Sequence, residues 1–244
     1  MSESDARAAR LELERLLPPN AWDLPSGFAD AAERYVALLL DANRRLNLTR
    51  VVEPAAVARL HLLDALAALP LVDVIAPRRA LDLGSGGGVP GLVLALARPT
   101  ISWTLVDSVG KKADALSAFA DALGLRNVAV LAERAETLGR DAEHRERHDL
   151  VTARACAPLP VLVEYGLPLL AVNGSLLAWK GRIGEDELSG GMQAASELGG
   201  SAAQVHPSGV PQLGDHRFVV VRKMAPTPSR FPRRPGEPGR RPLG

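Results

Sequence analysis

Cysteine is nearly missing from this chain. Cys156 is the only one among 244 residues, which excludes an internal disulfide and a thiolate-rich zinc cage; no metal site is expected. Long apolar runs are missing too, and none is expected to reach membrane-spanning length. The first residues, Met1-Ser2-Glu3-Ser4-Asp5, carry neither an apolar core nor a cleavage-like end. They do not read as a secretory signal, so the expectation is a cytoplasmic protein without a membrane partner. Net charge is small as a total, +1, but not as a distribution. From Arg222 to Gly244 seven basic residues meet one acid, Glu237, so that stretch carries +6 and the preceding 221 residues carry −5. Positive charge gathered at one end suits either a nucleic-acid arm or a solvated tail.

The composition that remains, 47% hydrophobic and 23% charged, is globular and can bury a sizeable core. Residues 4–17 have helical spacing, with Pro18-Pro19 as the stop. A second helix is expected from Phe28 to about Leu46, and a third from Glu53-Pro54 to Pro70. Three helices without a strand predict an N-terminal helical cap over residues 1–75. From Arg79 onward strands and helices alternate. Strands are expected at Ala80–Leu83, Ser102–Val106, Val128–Leu131, Asp149–Ala153 and Ser175–Trp179. Helices are expected at Leu92–Ala97, Lys111–Leu123, Leu159–Leu170 and Glu185–Leu198. This alternation predicts a doubly wound parallel sheet. Gln204–Val210 and Arg217–Val221, joined by a Pro/Gly/Asp turn, predict a terminal antiparallel hairpin. The fold expected for residues 76–224 is therefore α/β and Rossmann-like, as in class I methyltransferases. Residues 225–244 hold six prolines and three glycines and form no packed element on their own.

The chain is organised around Arg79-Ala80-Leu81-Asp82-Leu83-Gly84-Ser85-Gly86-Gly87-Gly88-Val89-Pro90-Gly91. An apolar strand runs into a glycine-dense turn and then a helix, which is the first βα turn of a nucleotide-type cofactor site. Two cofactors fit. Gly86 to Gly91 satisfies the dinucleotide fingerprint, with Asp107 sixteen residues beyond Gly91. Asp82 ahead of Gly84 and Gly86 instead suits S-adenosylmethionine (SAM), whose ammonium and sulfonium favour a carboxylate that would repel a pyrophosphate. Asp82, Gly84, Gly86 and Gly88 are thus cofactor candidates. Asp107, at the end of the second strand, is placed to read a ribose diol or to cap the next helix.

The residues at the end of the fourth strand, Thr152-Ala153-Arg154-Ala155-Cys156-Ala157-Pro158, narrow the acceptor. The polar-Pro-Pro-aromatic sequence of amine methylation is missing, as is a Pro-Cys nucleophile. A ring nitrogen or an oxygen remains. Attack by a guanine N7 lone pair removes no proton, so it asks mainly for alignment of the reactants and exclusion of water.

Several segments, taken in order, are similar to one family, the bacterial guanine-N7 methyltransferases of 16S ribosomal RNA known as RsmG or GidB. They are Asn47-Leu48-Thr49; His61-Leu62-Leu63-Asp64-Ala65-Leu66; the Leu81–Gly91 loop; Asp107 to Lys112; Arg134-Ala135-Glu136; Arg154-Ala155; Lys180-Gly181; and the tail from Phe231 to Leu243. The resemblance implies SAM-dependent methylation of a guanine in the 530 loop of 16S RNA. The expected partner is 16S RNA, the 30S subunit or an assembly intermediate, and the expected state is a monomer. It implies Gly84, Val89, Asp107, Ala135, Glu136 and Arg154 at the cofactor. It associates Asn47, His61 and Lys180 with substrate positioning. Arg134, Lys180, His216, Arg217, Arg233 and Arg234 are the RNA candidates. The family has its basic pair before the last strand in the other order from Asp215-His216-Arg217, which leaves open whether His216 or Arg217 faces the substrate. Three other readings remain: a different RNA acceptor, a nicotinamide-dependent oxidoreductase, and a non-catalytic ribosome-associated RNA-binding module.

Overall fold

A computed structural model describes residues 2–17 and 21–244. The expected stop at Pro18-Pro19 lies outside the described residues. The chain begins with α1 (Ser2–Leu16) and α2 (Phe28–Leu46). An apolar stripe on α2, with Ala32, Tyr35, Val36, Leu39 and Leu40 buried, faces inward, as the spacing predicts. Asn47 ends α2 in the left-handed region at φ 50°.

The expected third helix is a segmented one. Glu53 caps α3 (Pro54–Val57), accepting from the amides of Ala55 and Ala56. A π-helical stretch, Ala58–Leu63, follows, then α4 (Asp64–Leu66) and α5 (Leu69–Ile75). Pro70 therefore opens α5 instead of closing its predecessor. In a first turn the missing N–H has no partner to lose. Pro54–Ile75 also departs from the expectation about membranes, because it is long and apolar enough to cross one, with mean hydropathy 1.6. Arg59 and Asp64 hide this from a search for uninterrupted runs. Two-thirds of the apolar window (67%) is buried inside the fold.

Seven strands form one sheet in the order β3-β2-β1-β4-β5-β7-β6. They are β1 (Arg79–Leu83), β2 (Ser102–Val106), β3 (Val128–Leu131), β4 (His148–Arg154), β5 (Leu170–Lys180), β6 (Gln204–Pro207) and β7 (Arg217–Arg222). The first five are parallel, while β7 is antiparallel to both β5 and β6. The expected parallel sheet with a terminal hairpin is the observed one. The helices between strands are α6 (Gly91–Ala97), α7 (Gly110–Ala122), α8 (Ala135–Leu138), α9 (Leu159–Gly166) and α10 (Glu185–Leu198), and α11 (Glu237–Arg240) lies in the tail. The helix expected to reach Leu170 stops at Gly166, and a 3-10 turn at Leu167–Leu169, opened by Pro168, leads into a β5 six residues longer than expected.

Two apolar clusters flank the sheet. One unites α1, α2 and Pro54–Ile75 with α6, α7 and the sheet face bearing Ala80, Leu105 and Leu150. The other joins α9, α10, Leu138 and Phe231 to the face bearing Leu81, Val151 and Leu176. The N-terminal helices thus share their core with the sheet. Arg98 at the end of α6 ties them further, pairing with Asp73 at 2.7 Å and donating to the Trp22 carbonyl.

The tail packs on the body. Lys223, with no exposed surface, donates to the Leu167 carbonyl, to Glu146 and to Thr227. Arg145 donates to the carbonyls of Thr227 and Phe231. Phe231 is 3% exposed. The segment has no core of its own, so it borrows one.

Candidate functional site

The parallel strands end at a glycine turn held from four sides. Gly84, Gly86 and Gly88 have φ of 67°, 54° and 99°, where a Cβ would be strained. Below the turn, Ser85 links two strands: its hydroxyl donates to the Asp82 carbonyl and accepts from the Val106 amide. At the side, Asp107 accepts from Gly86 N at 3.0 Å and Val109 N at 2.9 Å. From above, the Tyr35 hydroxyl on α2 donates to the Gly87 carbonyl at 2.7 Å. Burial holds Tyr35 well above its ordinary pKa, so it remains a donor. At the far end, a Cβ on Gly91 would meet Leu105 at 2.4 Å and Asp82 at 2.7 Å. Only glycine lets α6 start so close to β1.

Asp82 is completely buried. One oxygen accepts from the hydroxyl of Thr152, its register partner on β4, at 2.6 Å, and the other from Gly91 N at 3.3 Å. Burial pushes its pKa up to about 6 against the pull of these donors. The expectation of a direct meeting with a ligand ammonium is replaced by a carboxylate beneath the loop, acting through space and through the backbone it holds.

Two cavities open on either side of Gly84. One, of about 230 Å³, is walled by Leu83, Gly84, Val106, Ser108, Arg134, Ala135, Glu136 and Tyr165, among others. The other, of about 210 Å³, includes Thr49, His61, Gly84, Gly86, Val89, Lys112 and Arg154. Each is smaller than the roughly 300 Å³ lower end of small-molecule clefts, and together they exceed it. Ala135, Glu136 and Arg134 thus stand on one side, and Val89, Gly86 and Arg154 on the other, with Gly84 common to both. Glu136 is buried and accepts from Gly236 N at 2.7 Å. Cys156 stands exposed in the first cavity's wall, its thiol pushed up by desolvation and by the Asp82 charge. That disfavours the thiolate a nucleophile needs.

The second cavity backs onto a polar cluster at the junction of helical cap and sheet. The π-helical turn presents His61, which is 5% exposed. Its Nε2 lies 2.8 Å from the Thr49 hydroxyl and its Nδ1 3.3 Å from Arg154. Burial, then Arg154, depress its pKa to about 4. Arg154 also donates to the Leu60 carbonyl at 2.6 Å and to Asp64 at 3.0 Å. The other Asp64 oxygen meets His216 Nδ1 at 2.9 Å. His216 is therefore the member of the basic pair that turns toward this cluster, while Arg217 pairs in register with Lys180 and Pro207.

The remaining candidates lie elsewhere. Asn47 is exposed at the end of α2, and its neighbour Asn43 holds Thr49 N. Lys180 is tied down, pairing with Glu187 at 2.7 Å and donating to the Ala157 carbonyl. Arg233 forms a fork with the fully buried Glu164, its closest approach 2.5 Å. That occupies the guanidinium expected on RNA, whereas Arg234 is exposed. Sequence reasoning missed Asp64, Tyr35 and Ser85. Asp64 had a signal, being an acid three residues from His61 in an otherwise apolar helix, hence on the same face.

The residues present fit SAM. Glycine backbone allows close approach, a buried negative charge lies beneath the turn, and the first cavity mixes apolar walls with carboxylates. A family model described as rRNA small subunit methyltransferase G matches residues 29–213. A protein of Chloroflexus aggregans named ribosomal RNA small subunit methyltransferase G is 45% identical over 234 residues, covering 94% of this chain and 98% of its own. One of the same name from Deinococcus deserti is 43% identical over 236 residues, covering 95% and 97%. Among solved structures, the CurJ carbon methyltransferase superposes with TM-score 0.55 at 15% identity over 91% of this chain and 68% of that one. A SAM-dependent O-methyltransferase from Thermotoga maritima does so with TM-score 0.53 at 16% identity, over 78% and 72%. At such identity these two establish the fold alone.

Proposed function

The chain belongs to the rRNA small subunit methyltransferase G family, and on that premise we propose that it methylates N7 of a guanine in the 530 loop of 16S ribosomal RNA. It is a SAM-dependent ribosomal RNA methyltransferase, which leaves no place for the nicotinamide reading. The observation that carries the proposal is the pair of cavities that share Gly84 in their walls. Ala135 and Glu136 suit an adenosine end, and the Val89–Arg154 side suits the amino-acid end and the reacting centre.

When bound, SAM supplies a methyl on a sulfonium, which guanine N7 takes with its own electron pair as the thioether departs, so no proton moves. What the chain's residues must do is orient, exclude water and tolerate positive charge. His61, with its pKa near 4, is neutral at pH 7 and adds no repulsion toward a sulfonium or an alkylated base. Arg154 has its charge offset by Asp64. Asp82, ionised above about pH 6, places a negative charge below the loop. Electrostatics set in advance in this way need no reorganisation during reaction.

The RNA partner is read further as free 16S RNA, a 30S subunit or an assembly intermediate, met by a cytoplasmic monomer. We also keep the division into residues 1–75, 76–224 and 225–244 as a functional one. Tritiated SAM with small-subunit RNA from a strain lacking this protein, followed by nucleoside analysis, tests the proposal. Label in 7-methylguanosine is expected. Label in any other nucleoside defeats the assignment of N7, and no label with any form of the RNA defeats the assignment of substrate.

A further inference from the structure

We infer that residues 231–240 of the tail are a positioning wall for the adenosine-side cavity, so that docking of the tail and binding of SAM strengthen one another. The inference rests on the proposed placement of SAM.

Three contacts carry it: one on a residue of the cavity wall, one at the far end of the short helix that bears that residue, and one on the neighbour of a second wall residue. First, Gly236 N donates to Glu136 at 2.7 Å, and Glu136 stands in that wall. Glu136 belongs to α8, a single helical turn of four residues, too short to hold its own orientation. Second, the tail grips the other end of α8. Pro232 lies so close to Gly139 that a Cβ there would meet it at 2.8 Å. Arg140, just beyond, donates to the carbonyls of Arg230 and Pro232. Third, Arg233 forks onto Glu164, with its backbone amide adding a 2.8 Å bond to the same carboxylate. The next residue, Tyr165, lines the cavity, and a Cβ on Gly239 would lie 3.9 Å from its hydroxyl.

The tail thus fixes both ends of α8 and the stretch of α9 that carries Tyr165. A ligand seated against Glu136 and Tyr165 binds best when these are held. Linkage then requires the reverse: the seated ligand holds the tail. The basic residues have divided roles, with Arg233 facing inward as an anchor and Arg234 and Arg240 exposed.

Hydrogen exchange on the full chain, with and without saturating SAM, tests this while calorimetry measures SAM binding. Amides of residues 233–240 should exchange at least fivefold more slowly with SAM, and those of β6 should not change. If SAM binds and residues 233–240 exchange at an unaltered rate, the inference is overturned alone. If SAM does not bind, the placement it rests on falls with it. A kinetic arm uses R233M combined with E164Q, which removes both charges and so avoids leaving a buried one unpaired. The KM for SAM should rise at least fivefold while kcat and the KM for RNA stay put, and R233K with native Glu164 should recover most of the loss. An unchanged KM for SAM, or all three constants worsening together, contradicts a positioning role.

Discussion

The Tyr35 hydroxyl reaches across 52 positions of chain to donate a 2.7 Å hydrogen bond to the Gly87 carbonyl. A helix from the N-terminal region thereby holds the cofactor turn. In Y35F that carbonyl loses its side-chain donor, and such a loss costs about 1–3 kcal/mol. A lower urea midpoint and several-fold weaker SAM binding by calorimetry are expected. Unchanged SAM affinity would mean that the turn is rigid without the helix.

Asp64 joins Arg154 and His216 through its two oxygens. D64A leaves the largely buried Arg154 guanidinium without its acid, a class of change that costs roughly 3–5 kcal/mol. Adding R154M should recover part of that loss in chemical denaturation. Methyl transfer should stay impaired in both variants, since Arg154 in the wall of the second cavity loses its partner in one and is replaced in the other.

Three buried groups set part of the acid stability. Burial depresses His61 and His148 to about 4 from 6.5. Each is neutral in the fold and protonated when unfolded, so its contribution is full above 6.5 and drains as pH falls toward 4. Asp82, raised from 3.8 to about 6, acts oppositely: its share favours the fold at low pH and is lost as pH rises through 6. Between pH 4 and 6 these three leave a net uptake of one proton on unfolding, so the melting temperature should fall with acidification. H148Q should flatten that fall and D82N should steepen it. Melting curves at half-unit pH steps decide both.

Arg234, Arg240 and Arg241 are exposed on the tail and remain available to phosphates. Replacing all three by Gln should reduce the slope of log K against log salt for RNA by about 2. The melting temperature should stay within about a degree, as suits exposed positions away from buried pairs. An unaltered slope would remove the tail from the RNA-binding surface.

Local patterns were legible. The strand–glycine–helix unit follows from a glycine-dense turn between two apolar segments, and Glu185–Leu198 has the expected bounds. The parallel sheet followed from alternation, and its antiparallel end from two short strands about a Pro/Gly/Asp turn. Pairings set by the third dimension were not legible. Nothing near Arg233 announces Glu164, 69 positions away, so a guanidinium that reads as an RNA ligand turns out to be an anchor. Asp82 reads as a ligand contact because its neighbours are glycines. Only the register of β1 with β4 reveals Thr152 as its partner. Pro70 misled because proline stops a helix and starts one equally well.

β7 lies between β5 and β6, although both precede it in the chain. During synthesis β6 emerges with no neighbour to pair with, and the free edge of β5 stays open until Arg217–Arg222 arrives. That edge runs through Leu176, Leu177, Ala178 and Trp179, an apolar stretch suited to pairing with another chain. A ribosome halted before Arg217 would therefore carry a nascent chain prone to associate through β5.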